Sequence, residues 1–212
     1  MCSPICRVEF LTGYQNAAYA QQYRDFVEQV RAVEAPLKST RLTLAVAKYL
    51  FKLMAYKDEY EVARLHTDPA FLQKLREQFD GDVKLNYHLA PPIFGKTNDK
   101  GEGVKQPFGP WMLTAFGVLA KFKGLRGGAL DIFGRTEERK SERALLGEYR
   151  ASIDEVLAGL SAERLGLATE IASIPEQIRG YGHVKHRHLL AARGKWDALL
   201  QQWRGGEQRA AA

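Results

Sequence analysis

Apolar residues recur at helical spacing along most of the chain. Phe10, Tyr14, Ala17, Ala18, Phe26, Val27, Val30 and Val33, with Gln, Arg and Glu between them, predict one long amphipathic helix over 9–34. After Pro36, the run Leu42 to Met54 is apolar at 42, 46, 49, 50 and 53 and on much of the opposite face, the pattern of a buried central helix. The same periodicity continues through Arg64 and places Tyr49, Leu53, Tyr56, Tyr60 and Ala63 on one stripe. Asp68 and Pro69 then mark a stop and a fresh start, because Asp accepts from free helix amides and Pro suits the first helical position. The helix that follows holds Phe71, Leu72, Leu75 and Phe79 and ends near Gly81.

Val83, Leu85 and Tyr87 alternate with polar residues, so 83–89 is the best strand candidate, although it has no obvious partner. Gly95 to Gln106 is polar and Gly-rich, a surface loop. Pro110 opens a helix with Trp111, Ala115, Val118, Leu119 and Phe122 on one face, and Gly124 is placed to stop it. Beyond the semi-apolar loop 124–134, Thr136 with Glu137 and Glu138 starts a long helix containing Leu145, Leu146, Tyr149, Ile153, Val156 and Leu160. Ser161 caps a further helix to about Ala172, and a last one carries Leu189, Ala192, Trp196, Leu199 and Trp203. The expected fold is therefore mainly α: a single multi-helix domain over 9–204, with at most a short strand or hairpin near residues 83–89. A tail over 1–8 and a disordered tail over 205–212 flank it.

Composition narrows the chemistry. With 45% hydrophobic and 26% charged residues, 212 residues are enough to bury a real core. No run approaches the roughly 18 apolar residues of a membrane span, and MCSPICRVEF lacks a signal-peptide plan, so a cytoplasmic protein that does not enter membranes is expected. Cys2 and Cys6 are too few for a disulfide framework or for a conventional iron–sulfur cluster, which takes four thiolates. The net charge of +6 invites a nucleic-acid reading, yet the bases are interleaved with acids, and nucleic acid is not the expected partner. His183, His186 and His188 form the most metal-like cluster, but no acid or cysteine falls between Arg179 and Arg193, while Lys185 and Arg187 oppose a cation; no metal site is expected. Gly124-Leu-Arg-Gly-Gly128 has the glycines of an anion-cradling turn without a Walker Lys-Ser/Thr pair, and Arg126, Arg135, Arg179 and Lys185 could serve a phosphorylated ligand only if the fold gathers them. Lys57, Asp58, Glu59, Glu61 and Arg64 are the densest charged group. Intrahelical pairing of Lys57 with Glu61 and of Glu61 with Arg64 explains part of it, and a docking surface is an equal alternative. The corners Tyr87-His-Leu-Ala-Pro-Pro92 and Phe108-Gly-Pro-Trp111 suit either a packed edge of the core or an interface.

The strings YQNAAYA (14–20), YLFKLMAYKDEYEVARLHTDPAF (49–71), YHLAPP (87–92), FGPWM (108–112), GLRGGALDIFG (124–134) and IRGYGHVK (178–185) occur in order over nearly the whole chain. Together they resemble the C-terminal helical domain, of unclear role, of fused indolepyruvate ferredoxin oxidoreductases. The resemblance implies a parent enzyme that oxidatively decarboxylates an aryl pyruvate, passing the acyl group to coenzyme A and electrons to ferredoxin. It also implies thiamine diphosphate, magnesium and an iron–sulfur cluster in that parent and no cofactor in this chain. The nearest fragment of a magnesium–diphosphate motif, Asp80-Gly81-Asp82, lacks the downstream Asn partner. The segment MCSPIC departs from the lead-in expected of such a domain and reads as an alternative start or a frameshifted gene. Residues matching the pattern are Tyr56, Lys57, Glu59, Tyr60, Arg64, His88, Trp111, Arg126, Arg179, His183 and Lys185, none with an assigned catalytic role. The implied role is an accessory or assembly domain that packs on the thiamine-binding and gamma-type domains and is not catalytic alone. It carries an expectation: an exposed apolar or tyrosine-rich patch around Tyr56, Tyr60 and Trp111. The alternative is a stand-alone basic module binding an anion or nucleic acid through the C-terminal helices.

Overall fold

The computed structural model describes residues 4–79, 81, 84–90, 104–180 and 182–210, with no account of the side chains of 4, 5 and 207–210. In chain order the helices are α1 (Pro4–Tyr14), α2 (Ala17–Glu34), α3 (Arg41–Met54), α4 (Glu59–His66), α5 (Pro69–Gln78), α6 (Met112–Lys121), α7 (Glu137–Ala158), α8 (Leu165–Ser173) and α9 (Gly182–Ala210). The hairpin β1 (Tyr87–Leu89) and β2 (Gln106–Phe108) precedes α6 and is antiparallel, with Tyr87 opposite Phe108 and Leu89 opposite Gln106. The fold is mainly α, and the missing strand partner is the segment that follows the polar loop. Val83, the pair Asp80 and Asp82, the Pro91-Pro92 corner and residues 91–103 of the loop lie outside the described residues. Among the described residues no helix is long and apolar enough to cross a membrane.

The chain forms two compact units, Met1–Ala55 with Ser141–Ala212, and Tyr56–Lys140. The break at Ala55 interrupts the expected continuous helix through Arg64. There the backbone leaves helical geometry (φ −102°, ψ 46°), and Asp58, extended, begins α4 by accepting from the Glu61 amide at 2.8 Å. A second break divides the expected helix over 9–34: Asn16 is extended and its side chain accepts from the Tyr19 amide at 2.8 Å, so α2 starts on its own cap. At the ends, α1 begins at Pro4 rather than near Phe10, and α9 continues past Gly205 to Ala210, where a disordered tail was expected. Ser161 does not cap α8; it bonds Glu163, and α8 begins four residues later.

The first unit is a conventional helical core. Leu11, Val30, Leu42, Val46, Leu50, Ile153, Val156, Ile171 and Trp203 are fully enclosed, and truncating one of them to Ala costs about 2–5 kcal/mol in such settings. Its tyrosines enter with their hydroxyls provided for: Tyr23 donates to the Ala47 carbonyl and Tyr149 to the Ala172 carbonyl, both at 2.9 Å. Arg164 lies over the Trp203 ring at 3.5 Å and donates to carbonyls of Gly159 and Trp203.

Glu34, 0% exposed at the end of α2, decides how α3 starts. Its carboxylate accepts from the amides of Leu42 (2.9 Å) and Thr43 (2.7 Å) and from the Thr43 hydroxyl (2.6 Å), supplying two of the free amides of the α3 N-terminus. Burial by itself raises the carboxyl pKa, but the hydrogen bonds from Thr43 and Leu42 outweigh it and hold the group below its ordinary value. With a folded pKa below the unfolded one, the carboxylate contributes stability that is present above about pH 4.5 and lost as pH falls through the lowered value. Glu34→Gln should therefore destabilise the protein by about 1.5–3 kcal/mol at pH 7. The deficit should shrink toward pH 3 when denaturant midpoints are compared at the two pH values.

Candidate functional site

Among the described residues the unit Tyr56–Lys140 has little apolar core: Ala63, Tyr87 and Phe116 are buried at its centre, ringed by half-buried neighbours. His66 fills the gap. It stacks on Phe116 at 5.3 Å and meets Tyr87 edge-on at 5.3 Å, and burial lowers its pKa, so the ring packs as a neutral aromatic.

Much of the remaining cohesion is polar and buried. The Asp58 carboxylate that caps α4 also receives Arg126, Nε to Oδ2 at 2.5 Å and Nη2 to Oδ1 at 2.8 Å, with both side chains under 5% exposed. This two-pronged pairing ties the loop 124–135 to the start of α4. The loop is folded around its own acid. Asp131 accepts from the amides of Gly127 (2.7 Å) and Gly134 (2.8 Å) and from the Tyr60 hydroxyl (3.2 Å). Gly127 sits at φ +75°, a left-handed conformation that favours glycine, and a Cβ on Gly128 would meet the Leu125 carbonyl at 3.1 Å. The anion that these glycines cradle is thus the Asp131 carboxylate. Burial, with the Asp131 charge next, pushes the Tyr60 pKa up to about 12. Glu61, almost fully buried, holds Arg64 through two 2.8 Å bonds.

Beside this cluster lies a cavity of about 490 Å3, lined from α4 by Glu59 and Val62, from the hairpin by Leu89, Gln106 and Phe108, from α6 by Met112, Phe116 and Leu119, and by Phe133 and Arg139. Lys57 and Trp111 also border it. Its walls are aromatic and aliphatic, with one ion pair on them: Arg139 approaches Glu59 Oε1 at 3.4 Å and lies over the Tyr56 ring at 5.8 Å. Glu59 Oε2 is buried and has no hydrogen-bond partner among the described residues.

Tyr56, Lys57, Glu59, Trp111 and Arg126 are thus brought together around the cluster and its cavity. Tyr60 is buried under the Phe133 ring, edge-on at 5.4 Å, and does not form part of an exposed tyrosine patch. Lys57 precedes α4 and makes no pair with Glu61. His88 is exposed on β1, alternating with buried Tyr87. Arg179, His183 and Lys185 belong to the other unit. There Arg179 pairs with Glu176 at 2.7 Å, Lys185 bonds the buried carboxylate of Glu142, and His183 is exposed on the first turn of α9. Of the remaining basic candidates, Arg135 donates to the Ala129 carbonyl, and His188 Nδ1 donates to the Arg179 carbonyl at 2.8 Å. Arg179, Lys185, Arg135 and His188 thus already have acid or carbonyl partners. Among the described residues no three His, Cys, Asp or Glu side chains converge to hold a metal.

The residues that organise the site and that the motif pattern does not single out are Asp131, Phe133, Phe116 and Arg139. For Asp131 a signal existed: it is the one acid in an otherwise apolar, Gly-rich loop, a position unsuited to a solvated charge.

A family model described as a family of unknown function (DUF6537) matches residues 5–198. The chain belongs to that family. The match spans both units, so the buried ion pair, the cavity and most of the helical core fall within the matched residues, with Leu199 and Trp203 just beyond them. No curated protein and no solved structure matches the chain.

Removing the guanidinium leaves a buried carboxylate without its counter-charge, so Arg126→Ala should cost about 3–5 kcal/mol. Native-state hydrogen exchange at the amides of α4 should register that loss most strongly. Gly127→Ala, forced into a left-handed backbone, should cost about 1–2 kcal/mol in the same assay. A raised Tyr60 pKa means that its contribution is complete below about pH 10 and lost as pH rises through about 12. The ultraviolet tyrosinate titration of Tyr60→Phe should accordingly lack one late-titrating hydroxyl relative to the parent.

Proposed function

We propose that this chain is an accessory and assembly domain of an indolepyruvate (aryl pyruvate) ferredoxin oxidoreductase, docking on the thiamine-binding and gamma-type domains and performing no catalytic step alone. The observation that carries the docking role is α6. Its sequence, MLTAFGVLAK, is apolar around almost the whole circumference, the composition of a helix buried on all sides. Yet only Phe116, on the face toward α4, is buried, while Trp111 (62% exposed), Val118 and Phe122 form a stripe open to solvent. Of the five residues that read as the core face of an amphipathic helix, Trp111, Val118 and Phe122 are exposed, while Ala115 and Leu119 are half-buried beside the cavity. Leu130 (72% exposed) and Ile132 add to the apolar surface of the same unit, and eight of the eleven large hydrophobic residues exposed among the described residues fall between 56 and 140. Apolar surface at this density marks a protein interface.

The oxidoreductase assignment rests on the six ordered motifs. On this proposal Tyr56, Lys57, Glu59, Trp111 and Arg126 shape the docking unit. Arg179, His183 and Lys185 serve the helical core unit, and thiamine diphosphate, magnesium, the iron–sulfur cluster, coenzyme A and ferredoxin are bound by the partner domains. Co-expression with thiamine-binding and gamma-type oxidoreductase domains should yield a complex that survives size exclusion, and Leu130→Lys with Val118→Lys should dissociate it while preserving the helical circular-dichroism spectrum. A chain that elutes alone beside those domains would overturn the proposal.

A further inference from the structure

We infer that the exposed face of α6 docks on an acidic protein surface, one that sets Asp and Glu carboxylates around an apolar hollow. This partner chemistry rests on the docking role proposed above. Between Val104 and Thr136 the chain carries five bases and one acid, although Asp and Glu make up 25 of its 212 residues and a stretch of this length ordinarily holds several. That acid, Asp131, is buried and committed to the Tyr60 hydroxyl and to the amides of Gly127 and Gly134, and Arg126 is buried against Asp58. The charge left toward solvent is of one sign: Lys105, Lys121, Lys123 and Arg135.

These cations stand among the exposed apolar side chains. Helical spacing puts Trp111, Thr114, Val118 and Lys121 on one face of α6, all four exposed, with Phe122 beside them. Arg135 donates to the Ala129 carbonyl at 3.1 Å, which holds it across the loop that presents Leu130 and Ile132. Lys105 leads into β2, whose far end, Phe108, meets the Trp111 ring edge-on at 6.0 Å. A base in the last turn of α6 also suits the negative end of the helix, but that accounts for one position and not for the missing acids. In the helical core unit exposed bases have carboxylate neighbours, as Arg31 has Glu28, Lys48 has Glu176, and Arg204 has Glu155. Lys105 and Lys121 have none among the described residues.

Burying Trp111 and Val118 against a partner also takes Lys121 out of bulk water, a cost that is met where the partner offers a carboxylate. A second copy of this chain would set like charges together. An anionic lipid surface supplies negative charge but presses on the whole face at once, and Glu137 and Glu138 stand exposed two and three residues past Arg135. A protein can place its acids opposite the lysines and leave those glutamates outside.

In the complex with the thiamine-binding and gamma-type domains, carbodiimide cross-linking, which joins an amine directly to a carboxylate, should link Lys105 or Lys121 to Asp or Glu of the partner, read by mass spectrometry. Raising salt from about 0.03 to about 0.3 M shortens the screening distance roughly three-fold, and stopped-flow association should slow by about ten-fold or more while dissociation changes little. At the lower salt, Lys105→Glu with Lys121→Glu should slow association by at least as much. Lys74→Glu with Arg76→Glu, an equal change in net charge on exposed positions of α5, should leave it nearly unaltered. A complex that forms without a cross-link from either lysine, or at a salt-independent rate, would overturn the inference and leave the docking role standing; absence of any complex would overturn both. Vesicles of phosphatidylserine and phosphatidylcholine should not sediment the chain. Sedimentation that the Lys105→Glu, Lys121→Glu pair abolishes would assign the cations to a lipid surface and overturn the acidic protein partner.

Discussion

The buried pairing of Asp58 with Arg126 is the constraint on which the unit 56–140 depends. A single carboxylate does two jobs there. It starts α4 by accepting the Glu61 amide, and it fixes the loop 124–135 by accepting the Arg126 guanidinium. With both groups removed from water, neither is tolerable without the other. The ion pair therefore works as a geometric lock more than as a source of net stability. Asp131, Tyr60, Gly127 and Gly134 complete the lock, and together they set the positions of Glu59 and Phe133 at the cavity.

This arrangement answers a deficit. Among the described residues the cluster of Ala63, Tyr87 and Phe116 is a small core, and the surrounding unit uses a neutral His66, an aromatic corner at Tyr87 and Phe116, and buried charges to supplement it. The other unit depends less on such devices: Glu34 and Glu142 are buried there too, but Tyr23, Tyr149 and Trp203 sit among a continuous set of buried aliphatic residues. The contrast fits a division of labour in which one unit is a stable helical body and the other offers surface and cavity. Its apolar residues are spent outward, on α6 and the loop tip, and polar bonds hold what remains.

Helices whose signals are local were legible. Asp68 and Pro69 start α5, Thr136 and the acids after it precede α7, and the apolar spacing of 42–54 marks α3. The same periodicity carried straight across Asn16 and across 55–58. A cap competes with continued helix by one or two hydrogen bonds, too little to disturb an apolar pattern, so two continuous helices were expected where four exist. The strand partner Gln106-Pro-Phe108 has no alternation of its own and acquires strand character only by pairing with Tyr87–Leu89.

The candidate site was half legible. The charged group at 57–64 and the Gly-rich loop stood out, but their meaning was inverted: Asp58 is a buried anchor, and the glycines hold Asp131. By itself the sequence determined the helical class, most helix starts and the positions of the charged and aromatic motifs, because those follow from contacts three or four residues apart. Only the tertiary structure decided which charges are buried, that Tyr60 lies inside while Trp111 is exposed, and that Val118 and Phe122 of the α6 stripe face solvent. Those outcomes depend on desolvation and on partners such as Arg126, 68 residues from Asp58, and local spacing holds no record of either.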